Sequence, residues 1–448
     1  MATTSKKKAV HVGGLPAIDE LPGDLGESMY SLIRDLYPIC RSITGDGLRS
    51  SLDKVAEVVE LRITEVPTGT KVFDWEVPLE WNIRDAYVET ADGDRIIDFY
   101  ASNLHVVSYS TPVDTSMSLQ ELKPHLHTLP DKPNWIPYRT SYYDENWGFC
   151  QAHNEFLNMK DGEYKVRIDS ELAPGNLTFA ECVVPGTSDE EVLIFSHICH
   201  PSLCNDNLSG VALSAYLAKT LRDYIPFYTY RFIFAPATIG SIAWLALNED
   251  RISKIRHGLV LSVIGDSGHL VYKRSRVGNS VIDRTVEHVL STTVDKFDIQ
   301  EFSPWGYDER QFGSPALNLP VGRLTRTPNG EYPEYHTSAD DLTIVKPEFL
   351  FDSFCTVWRI IEVLEGNATY VNKLGKGEPQ LGRRGLYRKI GGYQDVEQQQ
   401  LAMLWVLNQS DGKHSLLDIA EKAKLPFSVI RSAANDLVDA ELLAEIQL

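Results

Sequence analysis

Val192-Leu193-Ile194-Phe195-Ser196-His197-Ile198-Cys199-His200-Pro201-Ser202-Leu203-Cys204-Asn205-Asp206-Asn207-Leu208-Ser209-Gly210 opens with four apolar residues and runs directly into two histidines and an aspartate. A continuous apolar run of this kind is what a parallel strand buried on both faces requires. Arg231-Phe232-Ile233-Phe234-Ala235 and Gly258-Leu259-Val260-Leu261-Ser262-Val263-Ile264 repeat it, and the stretches between them, Gly210 to Tyr224 and Gly240 to Glu249, are helical in pattern. Strand, helix, strand, helix, strand at this spacing predicts an α/β unit, a mixed and mostly parallel sheet with helices on both faces and right-handed crossovers. Ligands of such sheets gather beyond the carboxyl ends of the strands, so chemistry is expected in the residues that follow each run.

Outward from this core, Met29, Leu32, Ile33 and Leu36, then Leu52, Val55, Val58 and Val59, predict two helices around the polar stretch Arg41 to Gly47. From there to about Val184 the texture becomes short alternating runs such as Lys71 to Val77, punctuated by Pro, Gly and Asp. The expected organisation is a disordered extension over residues 1–20, an α/β domain from 21–66 and 185–370, and a small β-rich inserted domain at 67–184. A linker rich in Gly and Lys follows Gly366. Three helices and a terminal hairpin over 387–448 then predict a winged helix. From Tyr393 onward this unit has nine acids against four bases, a net charge of −5 that argues against a phosphate-binding surface.

At 448 residues the chain has the length of about three domains. Its 43% hydrophobic and 23% charged residues are those of a globular protein. Lys plus Arg number 43 against 62 for Asp plus Glu, so the net charge of −19 repels nucleic acid and anionic membranes alike. Six cysteines without a CxxC pair suit free thiols in a reducing compartment, and no apolar segment of signal-peptide or membrane-span length occurs, so a cytoplasmic location is expected. A homo-oligomer is compatible with all of this.

His197, His200 and Asp206 at a strand end have the make-up of a metal site, in which imidazoles and a carboxylate converge on one ion. The plainer alternative is a histidine and an Asp206 that merely cap the next helix. Cys199 and Cys204 read as buried filler. Far downstream, Tyr335-His336-Thr337-Ser338-Ala339-Asp340 adds a third histidine. Asn-Asp-Asn-x-Ser-Gly after a strand-end His, a Pro-x-x-x-Gly-Ser after the next strand and this late Tyr-His-Thr-x-x-Asp together resemble the zinc aminopeptidases of the phosphorylase/hydrolase-like fold. The resemblance extends to aminopeptidase-like bacterial proteins with a β-rich insert and a C-terminal winged helix, and covers the chain from about Leu21.

The resemblance implies His197 as the ligand after the strand, Asp206 as the carboxylate that bridges two metals in the family, and His336 as the distal ligand; His200 has no counterpart. The family's general-base Glu and a ligand Glu fall at Ala237-Thr238, and its other ligand Asp falls at Ser262. With those ligands lost, one zinc ion is the simpler expectation, held by His200, Asp206 and His336, with His197 kept as the alternative to His200. Ala237 leaves three accounts open: an inactivated variant, a natural pseudoenzyme, or another acid as proton acceptor, either Asp266 or Glu309. Arg41, Arg139, Asp308, Arg326 and Tyr335 resemble substrate-cleft residues, although Asp308-Glu309-Arg310 also reads as a solvated charged turn. The function implied is a zinc-dependent amide or peptide hydrolase of aminopeptidase type, acting on a small peptide-like or aminoacyl-amide substrate with a free amine. The alternatives are a non-catalytic metal- and small-molecule-binding protein and a winged-helix regulator.

Overall fold

The computed structural model describes residues 15–386 and 394–446. Of the expected disordered extension over residues 1–20, residues 1–14 lie outside the described residues, as does the expected start of the winged helix at Tyr387, whereas Ile18–Glu20 forms a turn of 3-10 helix.

The apolar runs form the centre of an eight-stranded sheet. In chain order its strands are β1 (Arg62–Pro67), β2 (Asn176–Val184), β3 (Glu191–His197), β4 (Thr229–Ala235), β5 (Ile255–Leu261), β6 (Leu270–Lys273), β7 (Phe297–Gln300) and β8 (Val321–Thr325). Across the sheet they run β1-β2-β4-β3-β5-β8-β6-β7. The four central strands β4, β3, β5 and β8 are parallel, while β1, β2 and β6 pair antiparallel at the flanks. Every residue of β3 is buried, as its unbroken apolar run requires. Removing Leu193, Ile194 and Phe195 from water contributes roughly 1.5–3 kcal/mol apiece. The helices Gly210–Leu221 and Ile239–Leu247 make the crossovers between the parallel strands, and Leu25–Leu36 and Asp46–Ala56 flank the polar stretch as expected.

Two boundaries move. Residues 176–184, assigned from sequence to the insert, are β2 of the large sheet. Its Glu181 is a buried partner of β4: Arg231 Nη1 and Trp244 Nε1 each donate to Glu181 Oε1 at 2.8 Å, and Glu191 takes the rest of the guanidinium at 2.7 and 2.8 Å. The insert keeps a four-stranded antiparallel sheet of Arg95–Asp98, Glu80–Thr90, Glu163–Ala173 and Val113–Ser118. Its own core includes Val88, Ile97, Leu122, Phe149 and Val166.

The chain divides into two compact units, one running to Gly278 and resuming at Gln300–Phe354, the other made of Asn279–Ile299 and Cys355–Leu448. In the second, Thr369–Asn372 pairs with both Asp411–Ser415 and Leu443–Glu445, so the winged helix begins ahead of the Gly-rich linker rather than after it. Helices Gln394–Gln409, Leu416–Ala423 and Phe427–Asp439 complete it. Arg284, on helix Val281–Thr293 of the same unit, pairs with Asp418 and Glu421. No helix among the described residues is long and apolar enough to cross a membrane, and all six cysteines are free thiols.

Candidate metal centre

β3 ends on His197, which puts this side chain at the carboxyl edge of the sheet. The loop beyond it is laced to the ends of β3 and β5. Asn205 Oδ1 accepts from the Gly265 amide at 2.9 Å, Asn207 Oδ1 from the Val263 amide at 3.0 Å and Ser209 Oγ from the Ile264 amide at 3.0 Å. Asn207 Nδ2 donates to the carbonyls of His197 and Leu261. Asp340 accepts the amides of Asn205 at 2.6 Å and Asp206 at 3.1 Å. Gly210 closes the motif because a Cβ there would lie 2.4 Å from the Leu261 carbonyl oxygen. Of the Asn-Asp-Asn-x-Ser-Gly residues, Asp206 is thus the one whose side chain is left for the site.

Its two oxygens are divided between two imidazoles. His197 Nε2 lies 2.8 Å from Oδ1 and His336 Nε2 3.0 Å from Oδ2. The His200 ring stands 5.0 Å from that of His197 and 5.1 Å from that of His336. Ligand atoms of His197, His200 and Asp206 all fall within 4.8 Å of one another. The structure therefore brings both histidines of the strand-end stretch to Asp206 instead of choosing between them. His336 adopts φ 54°, in the left-handed region that a non-glycine residue enters only under constraint. Its carbonyl is held by the Tyr138 amide at 2.8 Å.

Electrostatics suit an ion. Burial pushes the His200 imidazole down to about 3, against the pull of Asp206. Burial alone would raise the Asp206 carboxyl, but the His200 ring and the hydrogen bonds from His197 and His336 outweigh it and hold it well below the usual carboxylate range. Neutral imidazole and ionised carboxylate are the forms that bind metals. His197 Nδ1 is buried without a hydrogen-bond partner. Nitrogen and oxygen donors in this number fit a single zinc ion. Cys199 and Cys204 are fully buried, and burial holds both thiols protonated.

Several expected site residues turn out to be structural. Arg41 is 1% exposed, and its guanidinium donates to Ser51 Oγ, the His200 carbonyl and the Leu36 carbonyl, so it supports the His200 loop and is not open to substrate. Arg326 donates to Ser353 Oγ, the Gly268 carbonyl and Asp352. Asp266 spends its oxygens on the Gly268 amide, Thr327 Oγ1 and Asn205 Nδ2, which leaves no proton acceptor. Glu309 is buried between Lys273 at 2.9 Å and Arg323 at 3.4 Å; although burial works the other way, these cations hold it ionised below its usual range. Asp308 is also fully buried, and so is neither a solvated turn residue nor a cleft residue.

Asp308 Oδ1 lies 2.7 Å from Ser241 Oγ, which is itself 2.8 Å from the Thr238 carbonyl. One hydroxyl proton cannot serve both acceptors, so the pair is best satisfied when Asp308 carries a proton and donates to Ser241. Burial indeed pushes its carboxyl up to about 7.

Ala237 and Arg139 line a cavity of about 290 Å³ that also reaches His200 and His336. Tyr335 stacks on His336 at 3.9 Å and borders a second cavity. Trp75 and Tyr143 line the first cavity without having been singled out from sequence, and Arg310, read there only as part of a charged turn, lines it as well. Trp75 lies in the insert, and nothing in the local pattern connects it to a strand end some 120 residues away.

A family model described as a domain of unknown function, DUF4910, matches residues 30–367, and one described as a winged helix-turn-helix matches 368–445. A Clostridium acetobutylicum protein, described provisionally as a polysaccharide biosynthesis protein with an aminopeptidase-like domain, is 51% identical over 420 residues, 94% of this chain and 96% of that protein. A crystal structure from the same organism, described provisionally as a peptidase, superposes with a TM-score of 0.91 at 48% identity, covering 96% of this chain and all of the other. The zinc aminopeptidase of Bacillus subtilis superposes with a TM-score of 0.56 at 12% identity over 79% of this chain and 96% of its own, a likeness of fold.

Proposed function

The chain belongs to the DUF4910 family and has an aminopeptidase-like fold, and from that premise we propose that it is a zinc-dependent hydrolase of an amide bond in a small peptide-like substrate. The observation that carries this reading is the convergence of His197, His200 and His336 on an ionised, buried Asp206 beside an open cavity. These four residues would hold the ion. When bound, zinc supplies Lewis acidity that activates water and polarises an amide carbonyl. Asp206 stays ionised and keeps two imidazoles oriented through its two oxygens. Position 237 offers no carboxylate, and neither Asp266 nor Glu309, the two acids singled out from sequence as proton acceptors, lines the cavity: both are held by other partners. The relative described as acting in polysaccharide biosynthesis makes a glycan precursor bearing an amide the first substrate to try.

Ala237 favours a second reading, a metal-binding protein without catalysis. Metal analysis of purified protein is expected to find about one zinc per chain, lost in Asp206→Asn; two fully occupied ions, or a protein that takes up none, would overturn the single-zinc reading. Ala237→Glu separates the two functions. In an enzyme it should raise hydrolysis of small peptide-like amides by roughly 10²–10⁴-fold, whereas a binding protein stays inert in both forms.

A further inference from the structure

The 290 Å³ cavity beside the imidazoles differs in charge from the rest of the molecule. The chain carries 62 acids and a net charge of −19, yet no Asp or Glu lines this space, and two arginines do. The other arginines described above are neutralised or saturated by carboxylates and carbonyls. Arg139 instead hydrogen-bonds only to an uncharged acceptor, His127 Nδ1 at 2.8 Å, and Arg310 only to the Pro304 carbonyl at 3.4 Å, with the buried Asp308 carboxyl attracting it without a direct pair. Neither is ion-paired among the described residues. Tyrosine and tryptophan rings make up much of the remaining wall: Trp75 and Tyr143, 43% and 52% exposed, meet at 5.6 Å between ring centroids.

A guanidinium not directly ion-paired, in a concave site rimmed by exposed rings, has the chemistry of a receptor for an oxyanion attached to an apolar group. A protonated amine, by contrast, would meet two like charges and no carboxylate of the lining.

We infer that this cavity recognises a carboxylate, so that the substrate is a small amide whose acidic end is read by Arg139 and Arg310 while its apolar portion lies against Trp75 and Tyr143. The word substrate rests on the hydrolase reading above; the anion site rests on the lining alone. The free amine implied by the family resemblance finds no acidic partner in this cavity.

Three ligands of one skeleton test it: N-acetyl-L-tyrosine (anionic), N-acetyl-L-tyrosinamide (neutral) and L-tyrosinamide (cationic). Their binding to the full chain is measured by calorimetry, zinc-loaded and after chelation. The anion should bind at least about tenfold more tightly than the other two in both states. Arg139→Gln with Arg310→Gln should abolish the preference, and the corresponding double Lys variant should retain part of it, because charge survives where the planar fork is lost.

Equal or tighter binding of L-tyrosinamide would overturn the inference, as would a preference that survives the double Gln variant. A preference present only before chelation would also overturn it, since the carboxylate would then be bound by the metal and not by the arginines. An arginine-dependent preference in a protein that never hydrolyses an amide supports the anion site and counts against the hydrolase reading alone.

Discussion

At the scale of the residue, Asp308 has two buried oxygens in different circumstances, one against Ser241 and one with no partner. Burial raises its carboxyl from 3.8 to about 7. Below the lower value it is protonated in both folded and unfolded chains. Between roughly pH 4 and 7 the unfolded chain releases this proton while the folded chain keeps it, so stability falls with rising pH across that window and levels off above it. Asp308→Asn removes the effect. Thermal melts of chelated protein should therefore show the variant gaining on the parent from pH 4 to pH 8, by at most about 1.4 kcal/mol per pH unit of the window. A difference that does not change with pH would refute a raised Asp308. Asp340, also pushed up to about 7 by burial, cancels from the comparison because both proteins contain it.

At the scale of the element, the loop between β3 and helix Gly210–Leu221 shows why a metal-site motif contains so few ligands. Asn205, Asn207 and Ser209 take up backbone amides at 263, 264 and 265 that β5 leaves unpaired at its end. Only a loop tied down in this way holds the Asp206 carboxylate between two imidazoles. Asn207→Ala leaves Asp206 in place chemically but frees the loop and strands the Val263 amide. It should weaken zinc binding by about 10–100-fold and cost about 1–3 kcal/mol of stability, measured by competition with a chelator and by thermal unfolding. Unchanged zinc affinity would show that the loop is held by other means. The same element scale explains the misplaced insert boundary: Glu181 in the alternating pattern of β2 looks solvent-facing until its partner Arg231, on a strand 50 residues away, is beside it.

At the scale of the whole molecule, the winged helix is the feature most open to a wrong functional reading. Such modules often bind nucleic acid, and a net −5 over its last 56 residues, within a chain of net −19, works against the electrostatic part of such binding. The full chain is expected not to shift a random DNA duplex at about 0.15 M salt. A salt-sensitive shift would reverse this. The unit also includes Asn279–Ile299 and Cys355–Gly366, and Arg284 is anchored on Asp418 and Glu421. The described residues from 368 to 446 are thus built into their own unit with a helix that precedes them by some 80 positions.

The sequence by itself determined the strand-helix succession, the strand-end location of His197 and Asp206, and the presence of a helical C-terminal module. Each of these is written in local periodicity and in the order of short motifs. Which histidines meet Asp206 was decided by tertiary structure, since His336 arrives from 130 residues away. So were the structural fates of Arg41, Arg326, Asp266 and Glu309, whose charges look available in a linear string and are consumed by partners that only folding supplies. The unpaired arginines of the cavity emerged by the same route, because whether a charge is free depends on every residue that folding brings near it.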